Sequence, residues 1–347
     1  MKEIFSRFAF ASSPRALVRR VLLVMLIWPL CCIAQDDLST FPEGASYFDW
    51  LDKPRDFLST RFVSLSNKVD SFFGDERAFQ EARTSYLRFY GDLVVQKDGT
   101  SNFNPQIQAR VVLPALEKHL HLLIETNAAT TPNANATTAE PTSSVVTQKG
   151  VPAIKTPQDF FAAIRLLVTD TLHWNVSTDA GLRIHGFALD PFVRARAGHV
   201  KDMDDWQFRL TESAYWFEQS GAGESTQFDA DYKINEHNLA RSRTVATWSD
   251  HDQQFYYQQG FTLFHAINDN QALSYQGNIY GENQLNSHVT EYDVSATWRI
   301  RMHREWLFFD VQPGLYWPET NGFRITPAIL LRVEAIFGDM ACGCYGI

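Results

Sequence analysis

The sequence predicts an all-β protein: a transmembrane, antiparallel, up-and-down β-barrel of about twelve strands, fourteen being the next count, with an N-terminal helical segment. Three observations carry this. The first is the last strand-like stretch, residues 322–337. Phe323, Ile325, Pro327, Ile329, Leu331, Val333, Ala335 and Phe337 fall on one face. Arg324, Thr326, Ala328, Leu330, Arg332, Glu334 and Ile336 fall on the other. Successive side chains of a strand point to opposite faces, so one face is wholly apolar and the other carries three charges. The stretch exceeds the roughly 9–11 tilted residues that cross a bilayer. The second observation is that the same alternation recurs from residue 85 onward. The third is an export signal with no run of roughly 18 apolar residues after it, the length that reads as a spanning helix.

The export signal occupies residues 1–34. Lys2, Arg7, Arg15, Arg19 and Arg20 precede an apolar stretch over 21–34, too short for the roughly 20 residues of a spanning helix. Cys32-Ile33-Ala34 places small residues where a signal peptidase reads, and Gln35-Asp36-Asp37 turns polar. Removing 1–34 takes five of 31 basic residues and one (Glu3) of 40 acidic ones, leaving 26 against 39, a net charge of −13. That balance argues against nucleic acid as a partner, because phosphate binding needs a basic footprint. The mean hydropathy is −0.25. A barrel with a polar interior has such an average, because its lipid-facing and inward residues cancel.

Residues 35–84 read as a periplasmic helical segment. Phe57, Phe62, Leu65, Val69 and Phe72-Phe73 recur at helical spacing, and Gly74 is a reasonable stop. A helix packed on the barrel rim is the first expectation, and a plug in its mouth the second. From residue 85 the period becomes two. Candidate strands cover 85–96, 106–113, 119–126, 160–174, 182–197, 206–217, 227–237, 240–248, 254–266, 272–282, 290–302, 306–317 and 323–337. Tyr292, Val294, Ala296, Trp298, Ile300 and Met302 oppose Glu291, Asp293, Ser295, Thr297, Arg299 and Arg301. Phe228, Ala230, Tyr232 and Ile234 oppose Asp229, Asp231, Lys233 and Asn235. The alternation is weak over 240–248 and in the first three segments. Thirteen candidates against the even count of bacterial barrels give the estimate of twelve.

The barrel thus spans 85–337. Residues 127–156, rich in Ala, Thr, Asn and Pro, read as a mobile loop, and 338–347 as a tail containing Cys342 and Cys344. Trp206, Trp216, Trp248 and Trp317 stand near predicted strand ends, where barrels place aromatic girdles.

The candidate functional residues are the charges on the polar strand faces. Arg194, Arg196, Arg299, Arg301, Arg324, Arg332, Asp293 and Glu334 are expected to face the lumen, with Arg88, Arg209, Asp229, Asp231, Glu291 and Asp310 among them. Such ladders line charge-selective channels, and they also satisfy a polar interior structurally. Ser287-His288, His265, Ser242 and Ser295 form no hydrolase motif, and no catalytic residue is assigned. Glu117, His119 and His121 share a parity, but same-face neighbours on a strand stand roughly 6.6–6.8 Å apart, so they do not converge on one ion. They read as solvated residues near a loop. No metal or other cofactor is expected.

The stretch Trp306-Leu307-Phe308-Phe309 with Pro313, and the ending Leu331-Arg332-Val333-Glu334-Ala335-Ile336-Phe337, resemble Gram-negative outer-membrane β-barrel proteins. The resemblance is architectural and covers residues 85–337. It implies an outer-membrane location, lipid contact, and recognition by the barrel-assembly machinery through a closing strand that ends on an aromatic residue. The ten residues after Phe337 depart from that pattern. The expected function is a narrow channel for small solutes, of unspecified solute. A non-conducting structural or assembly barrel is the alternative, and a membrane-embedded hydrolase the most distant one.

Overall fold

The computed structural model describes residues 72–73, 85–97, 99, 101–112, 120–126, 159–171, 173–185, 188–251, 253–283 and 288–338. The expected signal peptide, the loop over 127–156, the residues after Gly338 and nearly all of the expected helical segment lie outside them. Fourteen antiparallel strands form a closed barrel. They are β1 (Tyr86–Gln96), β2 (Ser101–Val112), β3 (Leu120–Thr126), β4 (Phe160–Asp170), β5 (Trp174–His185), β6 (Ala188–Met203) and β7 (Trp206–Phe217). The second half holds β8 (Gly221–Asn235), β9 (Asn238–Ser249), β10 (Gln254–Asn268), β11 (Gln271–Glu282), β12 (His288–His303), β13 (Leu307–Pro318) and β14 (Thr326–Gly338).

Each strand pairs with its sequence neighbours, and β1 pairs with β14 from Tyr86↔Gly338 to Gln96↔Ala328, which closes the sheet and removes every edge. Very short connections, such as 204–205, 236–237 and 269–270, join strands at the rim that holds Tyr86 and Gly338. This is termed the terminal rim below.

The count of fourteen corrects the expected twelve. The candidate over 182–197 is the end of β5 and the start of β6, with only two residues between the strands. Over residues 175–181 the outward side chains, Val176, Thr178 and Ala180, give only a weak apolar signal. Pro191 stands outward on β6 opposite Leu182, and its carbonyl accepts the Glu218 amide at 3.0 Å. The last strand begins later than residue 322. A 3-10 turn over Glu319–Asn321 is followed by Gly322 at φ 67° and Phe323 at φ 55°. Two consecutive left-handed residues turn the chain, so the ladder starts only at Thr326.

Candidate functional site

Alternation sorts the strands into two faces of opposite chemistry. On β14, Ala328, Leu330, Arg332, Glu334 and Ile336 are buried, while Val333 is 51% exposed. On β8, Asp229 and Asp231 are buried between exposed Phe228 and Tyr232. Leu166, Val168, Val193, Leu210, Phe261, Ile279 and Val294 are likewise exposed, while the buried polar residues are mostly arginine and carboxylate. A water-soluble sheet protein has the reverse arrangement. Apolar outside, charged inside and closed on itself is the arrangement that a hydrocarbon surround demands. The chain is a transmembrane β-barrel.

The inner face of this barrel is organised by register. Direct cross-strand partners carry opposite charge in continuous rows. Arg299 on β12 faces Asp310 on β13, Asp310 faces Arg332 on β14, and Arg332 faces Asp92 on β1. Arg299 donates to Asp310 at 2.7 Å, and Arg332 binds Asp92 through both Nε and Nη2, at 2.6 and 2.7 Å. Such two-point guanidinium–carboxylate contacts fix geometry as well as charge. Glu334 accepts from both Arg88 and Arg299. Tyr90 lies between Arg88 and Arg332, each guanidinium 4.5 Å from its ring centre, and donates to Gln106 at 2.6 Å. These contacts tie β12, β13, β14, β1 and β2 together across the barrel closure.

A second row crosses β4, β5 and β6. Asp179 stands between its register partners Arg165 and Arg194. Arg165 donates to it at 2.6 and 2.9 Å, and Arg194 at 2.7 Å. Next along β5 and β6, Arg183 pairs with Asp190. A third set lies on β8 and β9. Arg241 holds Asp231 at 2.7 and 2.8 Å, and Arg243 holds Asp229 at 2.6 Å. Between them, β10 and β11 present a neutral polar wall that includes Gln258, Thr262, Ser274 and Asn278. On β8, Gly223 makes room for an aromatic ring: a Cβ there would lie 2.3 Å from the ring of Tyr215.

Of the eight residues singled out by sequence, Arg194, Arg299, Arg332 and Glu334 sit in these rows. Asp293 accepts from Asn278 at 3.0 Å. Arg196 donates to Ser213 at 3.3 Å. Arg301 lies over Phe72 and Phe308, 5.5 and 5.8 Å from their ring centres. Arg324 departs from its expected place. It precedes β14 and is exposed, with its backbone amide donating to Asn321 at 2.9 Å. The left-handed turn before it uncouples its parity from the strand's.

Several inner-face residues were not singled out from the sequence: Asp92, Arg110, Arg165, Asp179, Arg183, Asp190, Arg241 and Arg243. Only Asp179, Arg183, Arg241 and Arg243 turn on the courses of β5 and β9; Asp92, Arg110, Arg165 and Asp190 lie on β1, β2, β4 and β6, where parity alone marks the inward face. His121, expected to be solvated, is 1% exposed and faces Arg165 in register. His119 and Glu117 lie outside the described residues. Among the described residues, His265 and Ser242 are not brought together; Ser287 lies outside them. His265 contacts Asn238 at 2.7 Å, whereas Ser242 pairs with Phe261, four residues along the same strand.

At the terminal rim, Phe72 and Phe73 meet inward-facing residues. Phe72 packs with Tyr86, Phe308 and Ile336, with its ring centre 5.9 Å from that of Phe308. Phe73 packs with Leu239 and Phe264, 5.1 Å between the ring centres of Phe73 and Phe264. The dipeptide therefore touches the β13–β14–β1 wall and the β9–β10 wall together.

No protein-family model matches the chain, and no curated relative matches it. Among solved structures it is similar to OprB of Pseudomonas putida, at 8% identity over 76% of this chain and 97% of that one, with a TM-score of 0.47. A bacterial polysaccharide outer membrane secretin gives 9%, 74%, 98% and 0.43. The outer membrane channel DcaP of Acinetobacter baumannii gives 9%, 73%, 96% and 0.42. Likenesses this distant assign neither solute nor activity.

Proposed function

We propose that this barrel lies in the bacterial outer membrane and provides a narrow, charge-lined passage for small solutes. The observation that supports it most is the closed ring of fourteen strands around rows of arginine and carboxylate. Eight strands enclose just enough room for side chains, and sixteen to eighteen leave an aqueous channel, so fourteen lies between these limits. Rings of charged side chains are a general means of selecting ions and polar solutes. Among the described residues no hydrolase motif is assembled, and no reaction is proposed.

A second reading is favoured by one observation. Arg88, Arg165, Arg299 and Glu334 are at most 1% exposed, and Phe72 with Phe73 bridges two walls at one rim. A barrel so filled fits a non-conducting structural or assembly role. Planar-bilayer recording on purified, refolded protein separates the two. Discrete steps, enlarged in Phe72→Ala/Phe73→Ala, support the passage. Silence from both the wild type and that variant would sink it in favour of the closed barrel.

A further inference from the structure

At the terminal rim the inward residues turn apolar. Going toward that rim, β14 presents Arg332, Glu334 and then Ile336, and β10 presents Gln258, Thr262 and then Phe264. With Tyr86 on β1, Leu239 on β9 and Phe308 on β13, Ile336 and Phe264 form an inward collar, each member at most 5% exposed. Apolar groups lining a wet mouth are unfavourably hydrated, so a collar of them calls for an apolar occupant. Phe72 and Phe73 fill that place without belonging to the wall, since they precede β1 in the chain.

The two seats suit aromatic rings and lie beside cations. The Phe72 ring meets Phe308 edge to face, with 87° between the planes, and the Arg301 guanidinium stands 5.5 Å from its centre. Arg301 and Arg299 also lie over Phe308, 5.8 and 4.3 Å from its centre, and Arg110 stands 5.8 Å from that of Tyr86. On the other wall Phe73 rests on Phe264, which has Arg241 at 5.1 Å. Guanidinium groups are attracted to ring faces, so such pairs hold each other in place. On the strands beside the Phe72 seat, the inward charges nearest this rim are four arginines, Arg88, Arg110, Arg299 and Arg301, and two carboxylates, Asp310 and Glu334. A neutral phenyl group satisfies the collar and leaves that positive balance standing.

We infer that the Phe72 seat is a solute site of the passage, that it takes a small aromatic carboxylate, and that Phe72 is its tethered competitor. The ring of such a solute repeats the contacts of Phe72 with Phe308, Tyr86 and Ile336. Its carboxylate adds what phenylalanine lacks, an anion beside Arg301. Phe72 is only half-buried, so the seat opens without unpacking a core residue. Phe73, on the β9–β10 wall, keeps the segment at the rim while Phe72 is displaced. Ring and charge are both required: an aliphatic acid gains little from the collar, and a neutral aromatic compound gains little from the arginines. The inference rests on the passage reading and names the solute class that the passage holds.

The test measures binding of radiolabelled benzoate to the full chain, refolded in detergent, by equilibrium dialysis against empty micelles as blank. Phe72→Ala is expected to bind benzoate roughly tenfold more tightly than wild type, because the competing ring is gone. Phe72→Ala/Arg301→Gln is expected to lose roughly that factor, and Phe72→Ala/Arg301→Lys to keep most of it. Excess acetate or benzyl alcohol should leave the bound benzoate in place. Equal binding by wild type and Phe72→Ala, no loss with Arg301→Gln, or displacement by benzyl alcohol as efficient as by unlabelled benzoate overturns the proposal. Heat-modifiable gel mobility is scored on every variant; where Arg301→Gln loses the barrel, Arg301→Met, which keeps the length without the charge, takes its place. The readout needs no conductance, so the two readings fail separately. Discrete conductance without benzoate binding overturns the site and leaves the passage, whereas the expected binding pattern with a silent bilayer keeps the site and removes the passage.

Discussion

The inner face carries two ion-pair regions that look alike and differ in balance. Around the closure, on β12, β13, β14 and β1, four arginines (Arg88, Arg299, Arg301, Arg332) stand with five carboxylates (Asp92, Glu291, Asp293, Asp310, Glu334). On β4, β5 and β6, four arginines (Arg165, Arg183, Arg194, Arg196) stand with only two (Asp179, Asp190). The closure network joins the first strand to the last through Arg88–Glu334 and Asp92–Arg332. The β4–β6 wall joins strands already held by short connections and a full ladder. The difference suggests a division of work, in which the balanced region holds the barrel shut and the arginine-rich one sets the potential a solute meets.

Glu334→Gln is the sharpest way to break this division and carries the largest expected effect. Removing one partner of a buried ion pair typically costs about 3–5 kcal/mol, and here two guanidinium groups lose a shared carboxylate. Urea titration of the refolded barrel, followed by heat-modifiable mobility, should show that loss. A variant as stable as wild type would mean the closure does not depend on this network. Asp179→Asn comes next, at about 3 kcal/mol, the lower end of the same range, since Asp179 is 3% exposed against 0% for Glu334. It should also raise anion preference in reversal-potential measurements, and Arg194→Gln should lower it. An equal shift from Glu334→Gln and Asp179→Asn would erase the distinction between the walls.

The aromatic contacts at the terminal rim predict a smaller effect. Phe72 and Phe73 are half-buried, so Phe72→Ala should cost about 1–2 kcal/mol, below the 3–5 typical of a fully buried Phe. Phe72 leans on the closure wall and Phe73 on β9–β10. Phe72→Ala should therefore weaken the Glu334→Gln background less than additively, whereas Phe73→Ala should add to it fully. A double-mutant cycle on unfolding free energies reads this directly.

The legibility of the sequence followed the outward face rather than the inward one. Where outward residues are large and apolar, as at Tyr292, Val294 and Trp298 or at Phe228 and Tyr232, alternation placed the strand and its inward charges together. Strand β9 has equally regular inward residues, Leu239, Arg241, Arg243 and Val245, all buried. Its outward residues Ser242 and Thr244 are polar as well, so its alternation is faint. Strand β5 is faint for a similar reason at Thr178 and Ala180. The strand count suffered because a connection as short as 186–187 leaves no composition shift. Which arginine meets which carboxylate depends on register, which no single strand encodes.

Arg324 provides the smallest expected effect and the cleanest check on that last point. By parity with Arg332 it belongs to the inner face. In the folded chain the left-handed pair Gly322 and Phe323 resets the direction before β14 begins, and Arg324 is exposed in the connection. Its only hydrogen bonds among the described residues are backbone ones, to Asn321 and from Thr326. Arg324→Ala should thus stay within about 0.5 kcal/mol of wild type, as surface substitutions usually do, and leave the reversal potential unmoved. Arg332→Ala, eight residues on along the same stretch, removes a two-point contact to Asp92 and should be severe. If the two substitutions proved equally damaging, the strand would have to begin before residue 324. The register that builds the closure network would then shift with it.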